Sequence, residues 1–250
     1  MTTQPVTPEK SAERRAGIAY AVGAYGQWGF YGLFFKLVSV MNPIEVVAHR
    51  AFWSMPVAAA ALIAMRKLHE VLRAVADPRV LLKLVVTAML VASNWGFFVW
   101  ALAMDRTLET SLGYYINPLL NVVIGYVLLG ERFTKAQTVA IGLAVLAVCI
   151  ITVETGVLPW LALLLASTFC AYGYMRKTIP VSAVQGYLVE SVILSLLGLP
   201  IALWFAMTGK AAFLSNTHDT VLLLLCGPVT ALPLMMFSAA ARRLRFSTVG

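Results

Sequence analysis

Charge is what this sequence has least of. Aspartate, glutamate, lysine and arginine make up 12% of its 250 residues, where a soluble globular chain carries about a quarter, and that deficit excludes a water-soluble protein built around one core. Histidine and cysteine are scarce too, with three of each. Cys149, Cys170 and Cys226 are an odd number without CxxC spacing, so neither a disulfide framework nor a zinc site is expected, and all three read as buried structural thiols. No GxxxxGK[ST], GxSxG or HExxH occurs. ATP is thereby excluded as a driver, hydrolase chemistry lacks its base-and-ligand set, and no cofactor or metal is expected.

What fills the chain instead is apolar sequence: 60% hydrophobic residues and a mean hydropathy of +0.84. Eight stretches approach the roughly 20 residues that cross a bilayer, near 17–38, 43–65, 80–104, 110–130, 133–153, 157–176, 182–207 and 219–241. The fold class is therefore an all-α polytopic membrane bundle. The first stretch follows Lys10, Arg14 and Arg15 but is longer than the apolar core of a signal peptide, about 7–15 residues, and is read as a retained span.

A net charge of +8 does not point to nucleic acid, because the basic residues alternate between loops. With the N-terminus inside, 15 of the 19 lysines and arginines fall on the cytoplasmic side, among them Arg66, Lys67, Arg132, Arg176, Lys177, Arg242 and Arg243. Lys36, Arg106 and Lys210 fall outside, leaving Arg50 alone within a span. The positive-inside rule then gives a multi-pass protein with a cytoplasmic N-terminus.

Two internal matches suggest a repeat. Tyr31-Gly32-Leu33-Phe34-Phe35-Lys36 resembles Tyr172-Gly173-Tyr174-Met175-Arg176-Lys177, and Arg106 followed by Thr110-Ser111-Leu112-Gly113 resembles Arg243 followed by Ser247-Thr248-Val249-Gly250. The offsets of 141 and 137 define a five-helix unit, and an odd number of spans inverts the second copy. Expected organisation is a tail over 1–16, a first repeat over 17–153 and a second over 157–250 that stops before helices nine and ten.

Ionisable groups at membrane depth are costly and are functional candidates by default. Glu45, His49 and Trp53 share one face of span 2 at i, i+4, i+8, with Arg50 beside them. Arg50 suits bidentate binding of a carboxylate or phosphate, and Glu45 or His49 suits proton exchange; the competing reading makes Glu45 an interfacial partner of Arg50 or Lys36. Glu190 in span 7 is the repeat counterpart of His49 and a second proton-coupling candidate, its alternative being a carboxylate facing a water-filled vestibule. Asn94-Trp95 and Tyr114-Tyr115-Ile116-Asn117-Pro118 place hydrogen-bonding groups beside aromatic faces, a combination suited to an amphipathic organic ligand. Gln27 and Trp28 sit among Gly23, Gly26, Gly29 and Gly32, whose spacing suggests close helix approach. Pro118 is expected to loosen the start of span 4, and Pro228 with Pro233 to kink or break span 8.

His49-Arg50 with Trp53-Ser54, Ser93-Asn94-Trp95, the run Ser111-Leu112-Gly113-Tyr114-Tyr115-Ile116-Asn117-Pro118-Leu119 and the following Gly130-Glu131-Arg132 resemble the RarD branch of EamA-type drug/metabolite transporters. That resemblance implies a ten-helix fold of two inverted five-helix repeats in the bacterial inner membrane and a permease or exporter activity. Unlike the small four-helix relatives, which couple protons through a glutamate in their first helix, span 1 here has no carboxylate. The expected partners are a small-molecule solute such as a drug or metabolite and the lipid bilayer, with room for a homodimer. A membrane-embedded enzyme and a non-transporting subunit are the alternatives; His49 as the one histidine within a span weighs against the enzyme.

Overall fold

The computed structural model describes residues 8–132, 134–155 and 158–249, so the expected counterpart of Gly113 at Gly250 lies outside the described residues. Among the described residues the chain is helical, without strands, and its helix starts follow capping chemistry in the sequence. Asn42 accepts a hydrogen bond from the amide of Ile44 to open α3 (Pro43–Ala64), and Asp77 does the same for α5 (Pro78–Ala103), each with proline at the first position, where the missing amide costs nothing. Ser182 and Gln185 form a reciprocal capping box at the head of α9 (Ala183–Met207). Gly130, with φ of 65°, closes α6 (Thr107–Leu129) in the left-handed region that favours glycine.

Among the described residues six helices are long and apolar enough to cross a membrane: α3, α5, α6, α7 (Lys135–Thr155), α9 and α10 (Thr217–Arg243). The two remaining expected spans depart from that description. Span 1 is divided at Phe30 into α1 (Pro8–Gly29) and α2 (Tyr31–Val38). α1 begins nine residues before the expected boundary, so much of the anticipated tail is helix, and Glu13 pairs with Arg243 Nε at 3.1 Å. Span 6 is α8 (Trp160–Thr178), 19 residues whose last turns carry Arg176 and Lys177. The short amphipathic α4 (His69–Ala76) follows α3, and α11 (Phe246–Val249) ends the described chain. Pro118, Pro228 and Pro233 lie inside unbroken helices, so the expected break in span 8 does not occur.

The packing falls into reciprocal pairs. α3 and α9 form the central contact; α1 packs on α10 as α8 packs on α5, and α3 on α10 as α5 on α9. The loops follow the same scheme. Glu45, at the head of α3, accepts hydrogen bonds from the amides of Ala212 and Phe213 in the α9–α10 loop, while Gln185, at the head of α9, donates to Glu70 in the α3–α5 connection. α7 is the outlier: its apolar stretch has no buried residue, and its main contact among the described helices is with α6. Cys149, on α7, is consequently exposed, against the expectation of a buried thiol, whereas Cys170 and Cys226 are buried.

Of the anticipated glycines only Gly23 meets a neighbouring helix, a Cβ there standing 2.0 Å from Met236 Cε of α10, and the closest backbone approaches come from others. Gly26, Gly29 and Gly32 face open space. At Gly227 a Cβ would stand 2.3 Å from the Trp53 carbonyl oxygen, and at Gly198 it would meet the Ala48 carbonyl at 3.0 Å, so α10 and α9 each press a glycine against the backbone of α3. Backbone cannot swing aside as a side chain can. Gly227→Ala is expected to lower stability by about 1–3 kcal/mol while Gly26→Ala stays within about 0.5 kcal/mol, measured by equilibrium unfolding in mixed micelles.

At the opposite end of the bundle Glu131 accepts from the amides of Phe246 and Ser247 at 2.7 and 3.0 Å and from the Ser247 hydroxyl at 2.5 Å, fastening α11 to the end of α6. Burial acts to raise this carboxyl, but the Ser247 and Phe246 hydrogen bonds and the nearby Lys177 charge outweigh it and hold it below the ordinary value. An acid depressed in the folded state stabilises fully above its unfolded value and less as pH falls through its folded one. Amide-exchange protection at Phe246 and Ser247 should therefore fall on acidification below the usual glutamate range, and Glu131→Gln should remove that pH dependence.

Candidate functional site

Two groups of charge lie inside the bundle. Arg50, on α3, is 3% exposed. Its Nε donates to Thr230 Oγ1 of α10 at 3.1 Å, and its guanidinium carbon stands 4.5 Å from the Trp95 ring centroid and 4.9 Å from that of Phe35. Both are cation–π contacts. No carboxylate lies within salt-bridge distance among the described residues, and the two terminal nitrogens make no hydrogen bond there. Tyr31 donates to the Val229 carbonyl at 2.7 Å.

The second group was hidden in the sequence. Arg176, counted there with the cytoplasmic charges, is fully buried, so Arg50 is not the one arginine inside the bundle. Its NH1 faces Glu190 Oε1 at 3.6 Å, Nε donates to Ser238 at 3.2 Å and NH2 to the Ala183 carbonyl at 2.6 Å. Glu190 in turn accepts from Thr87 at 2.6 Å and from the Tyr172 hydroxyl at 3.3 Å. The guanidinium reaches this position over Gly186, where a Cβ would come within 1.9 Å of NH1. A signal was present: Arg176 falls opposite Phe35 in the repeat, so it belongs to a helix end that packs inward.

Glu45, His49 and Trp53 do line one face of α3. The Trp53 indole donates to His49 Nδ1 at 3.0 Å, His49 Nε2 stands 3.9 Å from Glu45, and Phe213 packs on the imidazole with centroids 4.7 Å apart. Glu45 spends its oxygens on the Ala212 and Phe213 amides, which places it neither with Arg50 nor with Lys36. His49 and Glu190 occupy these separate clusters, so the repeat relation does not bring them into contact: each is taken up by partners on its own side of the α3–α9 seam.

The asparagines bind helices together. Asn94 donates to the Leu165 carbonyl and to Thr168, both at 2.9 Å, and Asn117 donates to the Ala166 carbonyl at 3.0 Å, so α5 and α6 both grip α8. Between them lies a crevice of about 10 Å³ that also touches Thr110, Gly113, Tyr114 and Phe169, room for about one water. Tyr114 is 60% exposed and Tyr115 is 77% exposed, so Tyr115 points away from the interior. Gln27 donates to the Gly23 carbonyl and Met236 sulfur, and Trp28 packs on Phe169 and Phe237.

A bundle of apolar helices enclosing a few organised charges is the architecture of a membrane carrier, and comparison with known proteins agrees. Residues 15–153 match the EamA-like transporter family, to which this chain belongs. It is 37% identical over 239 residues to Protein RarD of Streptomyces exfoliatus, covering 95% of this chain and 76% of that protein. Protein RarD of Escherichia coli is 37% identical over 243 residues, covering 95% and 81%, and an uncharacterized transporter of Vibrio cholerae is 39% identical over 246, covering 98% and 81%. No solved structure matches.

Removing one partner of a buried ion pair strands the other, at about 3–5 kcal/mol. Arg176→Gln and Glu190→Leu are each expected to destabilise by about that amount, and the double variant by clearly less than the sum, in the same micellar unfolding measurement.

Proposed function

We propose that this chain moves a small organic solute by alternating access, as a secondary transporter of the bacterial inner membrane with its N-terminus in the cytoplasm. The observation that carries the reading is the reciprocal packing: α1 on α10 answers α8 on α5, α3 on α10 answers α5 on α9, and α3 meets α9 at the centre. That is the pattern of two inverted repeats related by an axis in the membrane plane. Two halves of similar sequence that exchange conformations turn a cavity open on one side into one open on the other.

The loop contacts support the same relation. Glu45 and Gln185 occupy corresponding helix heads and hold loops that, in an inverted repeat, lie on opposite faces of the bilayer. Each face thus has a hydrogen-bonded tie between the two halves, and opening a face requires releasing its tie. The resident polar groups along α3, with Thr230 of α10 and Tyr114 of α6, make the solute path, and Glu190 with Thr87, Tyr172 and Arg176 ties α5 of the first half to α8 and α9 of the second.

Two measurements test this. With the three native cysteines replaced, His69→Cys should react with a membrane-impermeant maleimide only from the cytoplasmic side and Ala212→Cys only from the other; labelling of both from one side would overturn the inverted arrangement. In proteoliposomes, a panel of amino acids, nucleosides, vitamins, organic acids and amphenicols should include a class with saturable, gradient-driven counterflow. Amphenicols enter because a relative of Pseudomonas aeruginosa, 32% identical over 219 residues, is named a chloramphenicol-sensitive protein.

A further inference from the structure

We infer that Arg50 is an organic-carboxylate site, and that its ligand is a monoanion with a flat apolar body and no charged amino group; the inference rests on the transporter reading and specifies its solute class.

The starting point is an imbalance of charge. Arg50 is buried at membrane depth with no counter-ion among the described residues, and the two carboxylates inside the same bundle are committed elsewhere. Glu45 is taken by two backbone amides, and Glu190 by Thr87, Tyr172 and Arg176. An isolated cation in hydrocarbon is expensive, and a structural role would be served by neutral contacts at lower cost. Only Nε is used, on Thr230. That leaves the terminal N–H groups, whose fork matches a carboxylate bidentately.

Geometry narrows the ligand. The Trp95 and Phe35 ring centroids stand 4.5 and 4.9 Å from the guanidinium carbon, so a partner bonded to the terminal N–H groups, as a carboxylate can be, lies beside aromatic rings. Phe98 packs edge-on against both Phe35 and Tyr114, with centroids 6.0 Å apart in each pair, and the Tyr31 hydroxyl is spent on the Val229 carbonyl. The surroundings of the guanidinium are therefore mainly aromatic rings. They hold no second lysine or arginine among the described residues, so a phosphate dianion would keep one charge uncompensated. They also hold no free carboxylate for the ammonium of an amino acid. One negative charge on an apolar plane is what remains.

The test uses equilibrium binding, followed by tryptophan fluorescence and thermal stabilisation, of the purified protein to benzoate, benzamide, phenyl phosphate and phenylalanine. Benzoate is expected to bind at least tenfold more tightly than the other three, and Arg50→Gln to weaken benzoate between about tenfold and a hundredfold while leaving benzamide unchanged. The benzoate-to-benzamide ratio is read on the unaltered protein, so misfolding of the variant does not remove the test. Equal binding of benzoate and benzamide, preference for phenylalanine or phenyl phosphate, or no binding of any of the four would overturn the proposal. Counterflow separates the two readings: benzoate binding without flux upholds the site and overturns transport, whereas saturable flux of a neutral solute unaffected by benzoate upholds transport and overturns the site.

Discussion

A charge inside a bilayer has to be answered by the protein, because hydrocarbon cannot answer it, and most of this architecture follows from how four buried charges are met. Arg176 and Glu190 answer each other across 3.6 Å, with Thr87, Tyr172, Ser238 and a helix-end carbonyl bonding to the pair's other atoms while Arg176 NH1 makes no hydrogen bond among the described residues. Glu45 is answered by backbone amides at a loop. Arg50 is answered only by a hydroxyl and two ring faces. The first two arrangements fix helices in place. The third leaves the terminal nitrogens of Arg50 without a hydrogen bond among the described residues, and the carboxylate proposal rests on that surplus.

Much of the fold was legible in the sequence because the bilayer imposes a simple rule of length and polarity. Apolar runs bounded by Asn-Pro, Asp-Pro and Ser-Ala gave α3, α5 and α9 nearly to the residue. Span 1 was less readable: a hydropathy window averages across Phe30 and cannot register one turn of altered backbone. Glycine spacing located Gly23, which meets Met236, but otherwise misled for a related reason. It records where close contact is permitted, and only the partner helix decides whether contact occurs, so Gly26, Gly29 and Gly32 stay open while Gly198 and Gly227 meet α3.

The candidate site shows the same division. Arg50 stood out because it interrupts an apolar run, and Trp95 was found with it through the neighbouring Asn94. Arg176 was missed because arginine followed by lysine at a helix end is the ordinary signature of a cytoplasmic boundary, and nothing local distinguishes an arginine that turns inward. Thr230 and Phe35 carry no sequence signal of their own; they acquire a role only when α10 and α2 are laid against α3. Asn94 and Asn117, which suggested ligand contacts, bond to the carbonyls of α8, a use of amide side chains common where helices associate without a hydrophobic driving force.

Gly186 extends the logic of the ion pair into the history of the sequence. The space above its Cα is already occupied by the Arg176 guanidinium, so any larger residue at 186 evicts the arginine, and eviction strands Glu190. Residues 176, 186 and 190, on two helices, are thus a single inherited unit: among descendants of this chain they should change together or not at all, and a lineage that gains a side chain at 186 should have surrendered both charges.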